Sequence, residues 1–210
     1  MSIDFKLYLI TDRHVTTLGL PEAVRLALKG GVRAVQLREK DLPVRELLSL
    51  ARELRGVTRE FGAKLFINDR VDVAVAVDAD GVHLGGQSMP ASAARKIVGS
   101  GMLIGVSAHN INEAKEAKAG GADFITFGPV FSTPSKAKFG APVGVGSFMG
   151  VKKQVNLPIF GLGGINGGNI GQVLGAGADG IAMISAILSA ADIQREAELM
   201  VRRIGEAVNG

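Results

Sequence analysis

Four stretches of the chain repeat one design, a helix end, a small-residue turn and then an apolar strand. They are Gly30-Gly31-Val32-Arg33-Ala34-Val35-Gln36, Val77-Asp78-Ala79-Asp80-Gly81-Val82-His83, Gly120-Gly121-Ala122-Asp123-Phe124-Ile125-Thr126 and Gly175-Ala176-Gly177-Ala178-Asp179-Gly180-Ile181. Glycine there supplies the left-handed backbone that closes a helix. The copies recur at roughly 43 to 55 residues, room for two strand-helix units each. Eight strands are predicted: Phe5–Thr11, Ala34–Arg38, Lys64–Asn68, Gly81–Leu84, Leu103–Ser107, Phe124–Phe127, Pro158–Leu162 and Gly180–Ile184. Between them apolar residues recur at helical spacing. Val44, Leu47, Leu48, Ala51, Leu54 and Phe61 form one stripe, with Pro43 expected in its first turn. Ile193, Ala197, Met200, Val201, Ile204 and Val208 form another. Strand-helix alternation implies right-handed parallel crossovers. A fourfold echo over eight strands selects a closed barrel over an open doubly wound sheet. The expected fold is α/β, a compact (β/α)8 TIM barrel with residues 1–210 as one domain.

Composition narrows the function classes. The chain is 47% hydrophobic and 21% charged, so it has the means to bury a core. It has no cysteine, which excludes disulfides, thiolate metal sites and a cysteine nucleophile. The segment Met1–Lys6 lacks the basic-then-apolar pattern of a secretory leader. The longest apolar-and-small run, Gly180 to Ala191, is too short for a bilayer. A cytoplasmic protein with no membrane partner is expected. Net charge is +4, but Arg52, Arg55 and Arg59 alternate with Glu53 and Glu60 instead of forming a stripe. One Tyr and no Trp leave few stacking platforms, so nucleic acid is not an expected partner. Small anionic ligands suit the modest positive excess.

In a barrel of this kind ligands meet the carboxyl ends of the strands, and two anion sites can be read there. The stretch Gly161–Gly168 holds five glycines in eight residues ahead of a helix near Asn169. Bare backbone N–H groups in such a loop can cradle a phosphate, and Ser185 can add a hydroxyl. Arg38, Lys40 and Lys136 form the second site, with Gln36, Arg38 and Lys40 on one face by strand alternation. Three cations together call for a highly charged anion such as a diphosphate. Asp69 among them then calls for a hard cation, Mg2+, bridging it to phosphate oxygens. A competing arrangement is a structural ring of Arg38, Glu39 and Asp69, or Glu39 pointing outward to a lysine. His14, His83 and His109 lack metal-ligand spacing. His83 is expected to be a hydrogen-bonded core residue, and His109, at a strand end, is a candidate acid or base.

Taken together, Leu9–Asp12, Gln36–Lys40, Ile67–Arg70, Ala79–Gly85, Gly105–His109, Gly121–Lys136, Gly161–Ile165 and Ala178–Ile187 resemble the thiamine phosphate synthase / thiazole tautomerase superfamily. The resemblance runs through nearly the whole chain in that superfamily's order. It implies a transferase of thiamine biosynthesis that couples a pyrimidine methyl diphosphate to a thiazole phosphate and releases diphosphate. Gln36, Arg38, Lys40, Asn68 and Lys136 would hold the pyrimidine diphosphate, Asp69 would ligate Mg2+, and Ser107 would touch the pyrimidine. Thr133, Pro134 and Ser135 would meet the thiazole phosphate, with Gly163, Gly164, Ile184 and Ser185 as its cup. The C–O bond would break first, leaving a pyrimidine cation for the thiazole nitrogen to capture. Arg38, Lys40, Lys136, Ser107 and His109 are then the catalytic candidates.

One position departs from the synthase pattern. Alignment on His83-Leu84-Gly85 and Pro90 puts Ser88 where a second Mg2+ ligand, an aspartate, belongs. Its loss favours the sister activity, a thiazole tautomerase with His109 moving the proton, and a non-catalytic phosphate-binding barrel is the third alternative. Barrels of this class often pair, so a homodimer is expected by analogy.

Overall fold

The computed structural model describes residues 3–132 and 141–209. Eight parallel strands close into a barrel in chain order: β1 (Leu7–Ile10), β2 (Ala34–Leu37), β3 (Lys64–Asn68), β4 (Gly81–Leu84), β5 (Leu103–Ala108), β6 (Phe124–Phe127), β7 (Ile159–Leu162) and β8 (Gly180–Met183). Around it run α1 (Leu20–Lys29), α2 (Val44–Glu60), α3 (Val71–Ala76), α4 (Ala91–Val98), α5 (Ile111–Ala119), α6 (Ser147–Val155), α7 (Ile170–Gly175), α8 (Ser185–Leu188) and α9 (Ile193–Asn209). Every predicted strand exists, shorter at some ends by one or two residues. Pro43 caps α2 from outside instead of entering its first turn; its fixed φ suits either place. Among the described residues no helix is long and apolar enough to cross a membrane.

The barrel interior is filled by size alternation. Phe66 on β3 is register-paired with Gly81 on β4, Phe124 on β6 with Gly105 on β5, and Phe160 on β7 with Gly180 on β8. A methyl group on any of these glycines would lie 2.4 Å from the neighbouring ring. The rings pack edge-on with Tyr8 on β1, centroids 5.2–6.2 Å apart, and Phe5 seals the amino-terminal end. Inside the barrel, aromatics therefore fill the space that glycines leave, while a separate layer between strands and helices is mostly Leu, Ile, Val and Ala, with Phe127 packed on Phe148 within it.

The sequence echo has a structural cause. Asp80, Asp123 and Asp179 precede β4, β6 and β8. Each accepts a backbone N–H from the previous strand, Leu65, Ile104 and Ile159 respectively, at 2.7–3.0 Å. Each also binds a cation from a nearby helix: Arg55 on α2 at 2.6 Å, Arg95 on α4 at 2.6 Å and Lys152 on α6 at 2.8 Å. These struts tie helix, strand and next strand together at the end opposite the functional rim. In the first copy Arg33 stands at the aspartate position and bonds Leu28 and Val32 carbonyls instead.

Candidate active site

Thr11 and Glu39 set the first part of the rim. The buried Thr11 hydroxyl accepts the Arg38 N–H at 2.9 Å and donates to Glu39 Oε1 at 2.6 Å. Glu39, 5% exposed, also accepts from the Arg13 backbone at 3.1 Å and from Arg13 Nη1 at 3.3 Å. A buried carboxylate needs such donors, because desolvating it alone is costly. Neither of the competing arrangements therefore exists: Glu39 does not point outward to a lysine, and Arg38, Glu39 and Asp69 form no ring. Strand β2 ends at Leu37, so strand alternation no longer directs residue 39. Arg13 also grips Asp41 with two bonds of 2.7 Å, and that guanidinium holds the Asp41 carboxyl well below the usual carboxylate range.

With its backbone held by Thr11, Arg38 has no carboxylate within 4 Å among the described residues, and Lys40 Nζ stands 3.9 Å from Asp69 Oδ2. Asp69 has φ of 59°, in the left-handed region. Asp tolerates that region better than most residues, yet such backbone persists only where its surroundings enforce it. Here Asp69 N–H donates to the His83 carbonyl at 2.9 Å, and Asn68 Nδ2 donates to Asp69 Oδ2 at 2.7 Å. Ser88 Oγ donates to Asp69 Oδ1 while accepting the Gly85 N–H at 2.7 Å. The Asp69 side chain is 34% exposed. Among the described residues no group of three acids or histidines could hold a metal unaided. One open carboxylate with a hydroxyl beside it fits Mg2+ in the mode where phosphate oxygens complete the shell.

Below this rim lies a buried polar floor. Gln36 Nε2 donates to the Tyr8 hydroxyl at 3.1 Å, and that hydroxyl lies 3.4 Å from His83 Nδ1. His83 Nε2 is 3.0 Å from Ser107 Oγ and 3.4 Å from Thr126 Oγ1. Burial pushes the His83 pKa down to about 3; the Asp69 charge opposes that shift and Arg38 adds to it. The ring is therefore neutral at physiological pH. The expectation of a packed, hydrogen-bonded His83 holds.

On the other side of the rim, the chain after β6 is laid onto the end of β7. Val130 N–H donates to Leu162 O at 2.9 Å and Phe131 N–H to Gly163 O at 3.0 Å. Gly163 and Gly164 have φ of +101° and +67°, and a methyl group on either would strike Pro129 or Phe131 at 2.7 Å. Both glycines are thus required by conformation and by close approach. Asn169 Nδ2 holds the Gly164 carbonyl at 2.9 Å, and Ser185, exposed, opens the first turn of α8. Thr133, Pro134, Ser135 and Lys136 lie outside the described residues. His109 is exposed, its Nδ1 against the Gly128 carbonyl and its N–H on Glu113 Oε2 at 2.7 Å. With Asn110 and Ser147 it lines a cavity of about 280 Å3 between the ends of α5 and α6.

A family model described as thiamine monophosphate synthase matches residues 7–187. The chain belongs to that family. Among thiamine monophosphate synthase family relatives, a Geobacter sulfurreducens protein provisionally named a thiamine-phosphate synthase is 56% identical over 95% of this chain and 94% of its own. A thiamine-phosphate synthase of Moorella thermoacetica is 46% identical over 89% of this chain and 87% of its own. The solved thiamine phosphate pyrophosphorylase of Pyrococcus furiosus superposes with a TM-score of 0.90 at 41% identity, covering 97% of both chains.

Within this member of the thiamine monophosphate synthase family, Gln36, Arg38, Lys40, Asn68, Asp69, Ser88 and Ser107 all come from the carboxyl ends of β2 to β5 or the loops after them. Gly163, Gly164, Ile184 and Ser185 come from the ends of β7 and β8. The sequence reading missed Tyr8 and Thr126. Alternation along β1 and β6 could have turned them inward, but a lone Tyr or Thr in an apolar strand carries no signal of its own partners.

Proposed function

We infer that the chain is a thiamine-phosphate synthase, coupling 4-amino-2-methyl-5-diphosphomethylpyrimidine to a thiazole phosphate and releasing diphosphate. The observation that carries this reading is the grouping of Arg38, without a carboxylate partner within 4 Å among the described residues, and Lys40 beside Asp69, Asn68 and Ser88 at one rim. Such a set suits an anion of high charge and its counter-ion. The names of the relatives agree with it.

In this reading Arg38 and Lys40, with Lys136, bind the diphosphate and stabilise the negative charge that grows as the C–O bond breaks. Mg2+, when bound, would add Lewis-acid stabilisation of the same charge, and Asp69 with Ser88 would hold it. Gln36, Asn68 and Ser107 orient the pyrimidine over the floor, so that the cation left behind faces the thiazole nitrogen. The thiazole phosphate is held by Thr133, Pro134, Ser135, Gly163, Gly164, Ile184 and Ser185. No protein nucleophile is needed, in keeping with a chain without cysteine. The substrates are small phosphorylated molecules, and the cytoplasm is the compartment we propose.

The test is to mix the protein with both substrates and Mg2+ and measure diphosphate release. Asp69→Ala and Lys40→Ala are each expected to lower the rate by about 10²–10³-fold while leaving the circular dichroism unchanged. Absence of release by the unaltered protein, with conversion of a thiazole carboxylate phosphate tautomer that His109→Ala abolishes, would select the tautomerase. Binding of the thiazole phosphate without either conversion would select a non-catalytic barrel.

A further inference from the structure

The protons of the buried floor cannot be placed one at a time. Gln36 Nε2 donates to the Tyr8 oxygen at 3.1 Å. Tyr8 is fully buried against Phe5, Phe66 and Phe124, and its own proton must find an acceptor. Among the described residues the acceptor within reach is His83 Nδ1, at 3.4 Å. Nδ1 therefore carries the lone pair, and a neutral imidazole then has its proton on Nε2. Nε2 donates to Ser107 Oγ at 3.0 Å, and Thr126 Oγ1, in a side chain 1% exposed, donates to the same oxygen at 3.3 Å. With two donors on its oxygen, Ser107 has only its proton left to offer. At the opposite end, the Gln36 amide gives one N–H to Tyr8 and keeps its carbonyl oxygen and its second N–H. The oxygen can take an exocyclic amine, while Ser107, a donor alone, decides against a protonated ring nitrogen.

We propose that Tyr8 and His83 are positioning residues that give the floor one polarity, Ser107 a donor and Gln36 an acceptor, and so select an aminopyrimidine ring over its oxo counterpart. An aminopyrimidine brings an exocyclic N–H for Gln36 and an unprotonated ring nitrogen for Ser107. An oxo ring presents an acceptor and a protonated nitrogen in their place. Turning the Gln36 amide over would reverse each bond as far as Ser107 and leave a floor matched to the oxo ring. The choice of pyrimidine as ligand rests on the synthase reading; the polarity of the chain does not.

Two measurements separate these levels. In the ligand-free protein, 15N–1H correlation spectra of the imidazole should show His83 in the Nε2–H form. Tyr8→Phe leaves Nδ1 with neither a donor nor an acceptor and takes from the Gln36 amide its bond to the Tyr8 oxygen, so its effect is read in the ligand comparison. A His83 ring in the Nδ1–H form in the unaltered protein overturns the proposal. The second measurement compares binding of the 4-amino pyrimidine methyl diphosphate with that of its 4-oxo counterpart. We expect the amino compound to bind at least 100-fold tighter, because buried polar groups left unpaired penalise the wrong ring. Tyr8→Phe and Thr126→Val should each cut that ratio at least tenfold, and Thr126→Ser should restore it. An unchanged ratio in both Tyr8→Phe and Thr126→Val also overturns the proposal. If His83 shows the Nε2–H form and neither pyrimidine binds, it is the synthase reading that has failed.

Discussion

Acidification should find this barrel's weak point at His83. A histidine in an unfolded chain titrates near 6.5, and burial in the fold pushes His83 down to about 3. As pH falls below 6.5 the unfolded chain takes up a proton that the folded ring refuses. The contribution of this ring to stability is therefore full above pH 6.5 and is lost progressively down to about 3. The slope approaches about 1.4 kcal/mol per pH unit, so the loss at pH 5 is about 2 kcal/mol and approaches about 5 kcal/mol near pH 3. Carboxylates held low by arginine, Asp41 among them, weaken the fold on acidification too. A difference removes their share. Urea unfolding of the unaltered protein and of His83→Gln is measured at pH 7.5 and at pH 5.0. The unaltered protein should lose about 2 kcal/mol more than the variant between the two. Equal losses, within about 0.5 kcal/mol, would refute a neutral buried imidazole.

Gly180→Ala tests the size alternation of the interior. Its methyl group would lie 2.4 Å from Phe160 Cε1 and 2.7 Å from the Lys6 carbonyl, so a loss of about 1–3 kcal/mol in urea unfolding is expected; a loss under about 0.5 kcal/mol would show that the ring and backbone give way freely. Ser88→Asp sets a second carboxylate next to Asp69, and calorimetric titration of the ligand-free protein should then show Mg2+ binding about tenfold tighter or more. Unchanged affinity would place the metal away from this pair.

The barrel was legible because three aspartate struts stamp the same turn into the chain, and a strut position is a sequence position. The cations of the rim were legible because they lie at strand ends, where direction along the barrel alone decides which side a residue joins. Glu39 was not, since its burial depends on Thr11 and Arg13 from a different loop. The aromatic-glycine pairing was hidden for a related reason. Gly81 and Gly180 read as strand-start residues and Gly105 as one strand residue among others, until the register sets each against a Phe on the adjacent strand, 15 to 20 residues away. The direction of the Gln36–Ser107 chain needs interatomic distances, which no spacing along the chain encodes.

The first quarter of the barrel, where Arg33 replaces the aspartate, carries a mechanical consequence. Arg33 makes no strut to the preceding strand, and the β1–β2 ladder has two register pairs where the other seams have three or four. A cavity of about 350 Å3 between Phe5, Arg33 and the end of α9 lies at the foot of that seam. At its head, Thr11, Arg13, Glu39 and Asp41 lash the two strands together. The wall is thus tied by side chains at the mouth and lacks a strut at the base, so backbone amides at the foot of β1 and β2 are expected to exchange with solvent faster than those at the mouth, away from the side chains that would meet a ligand.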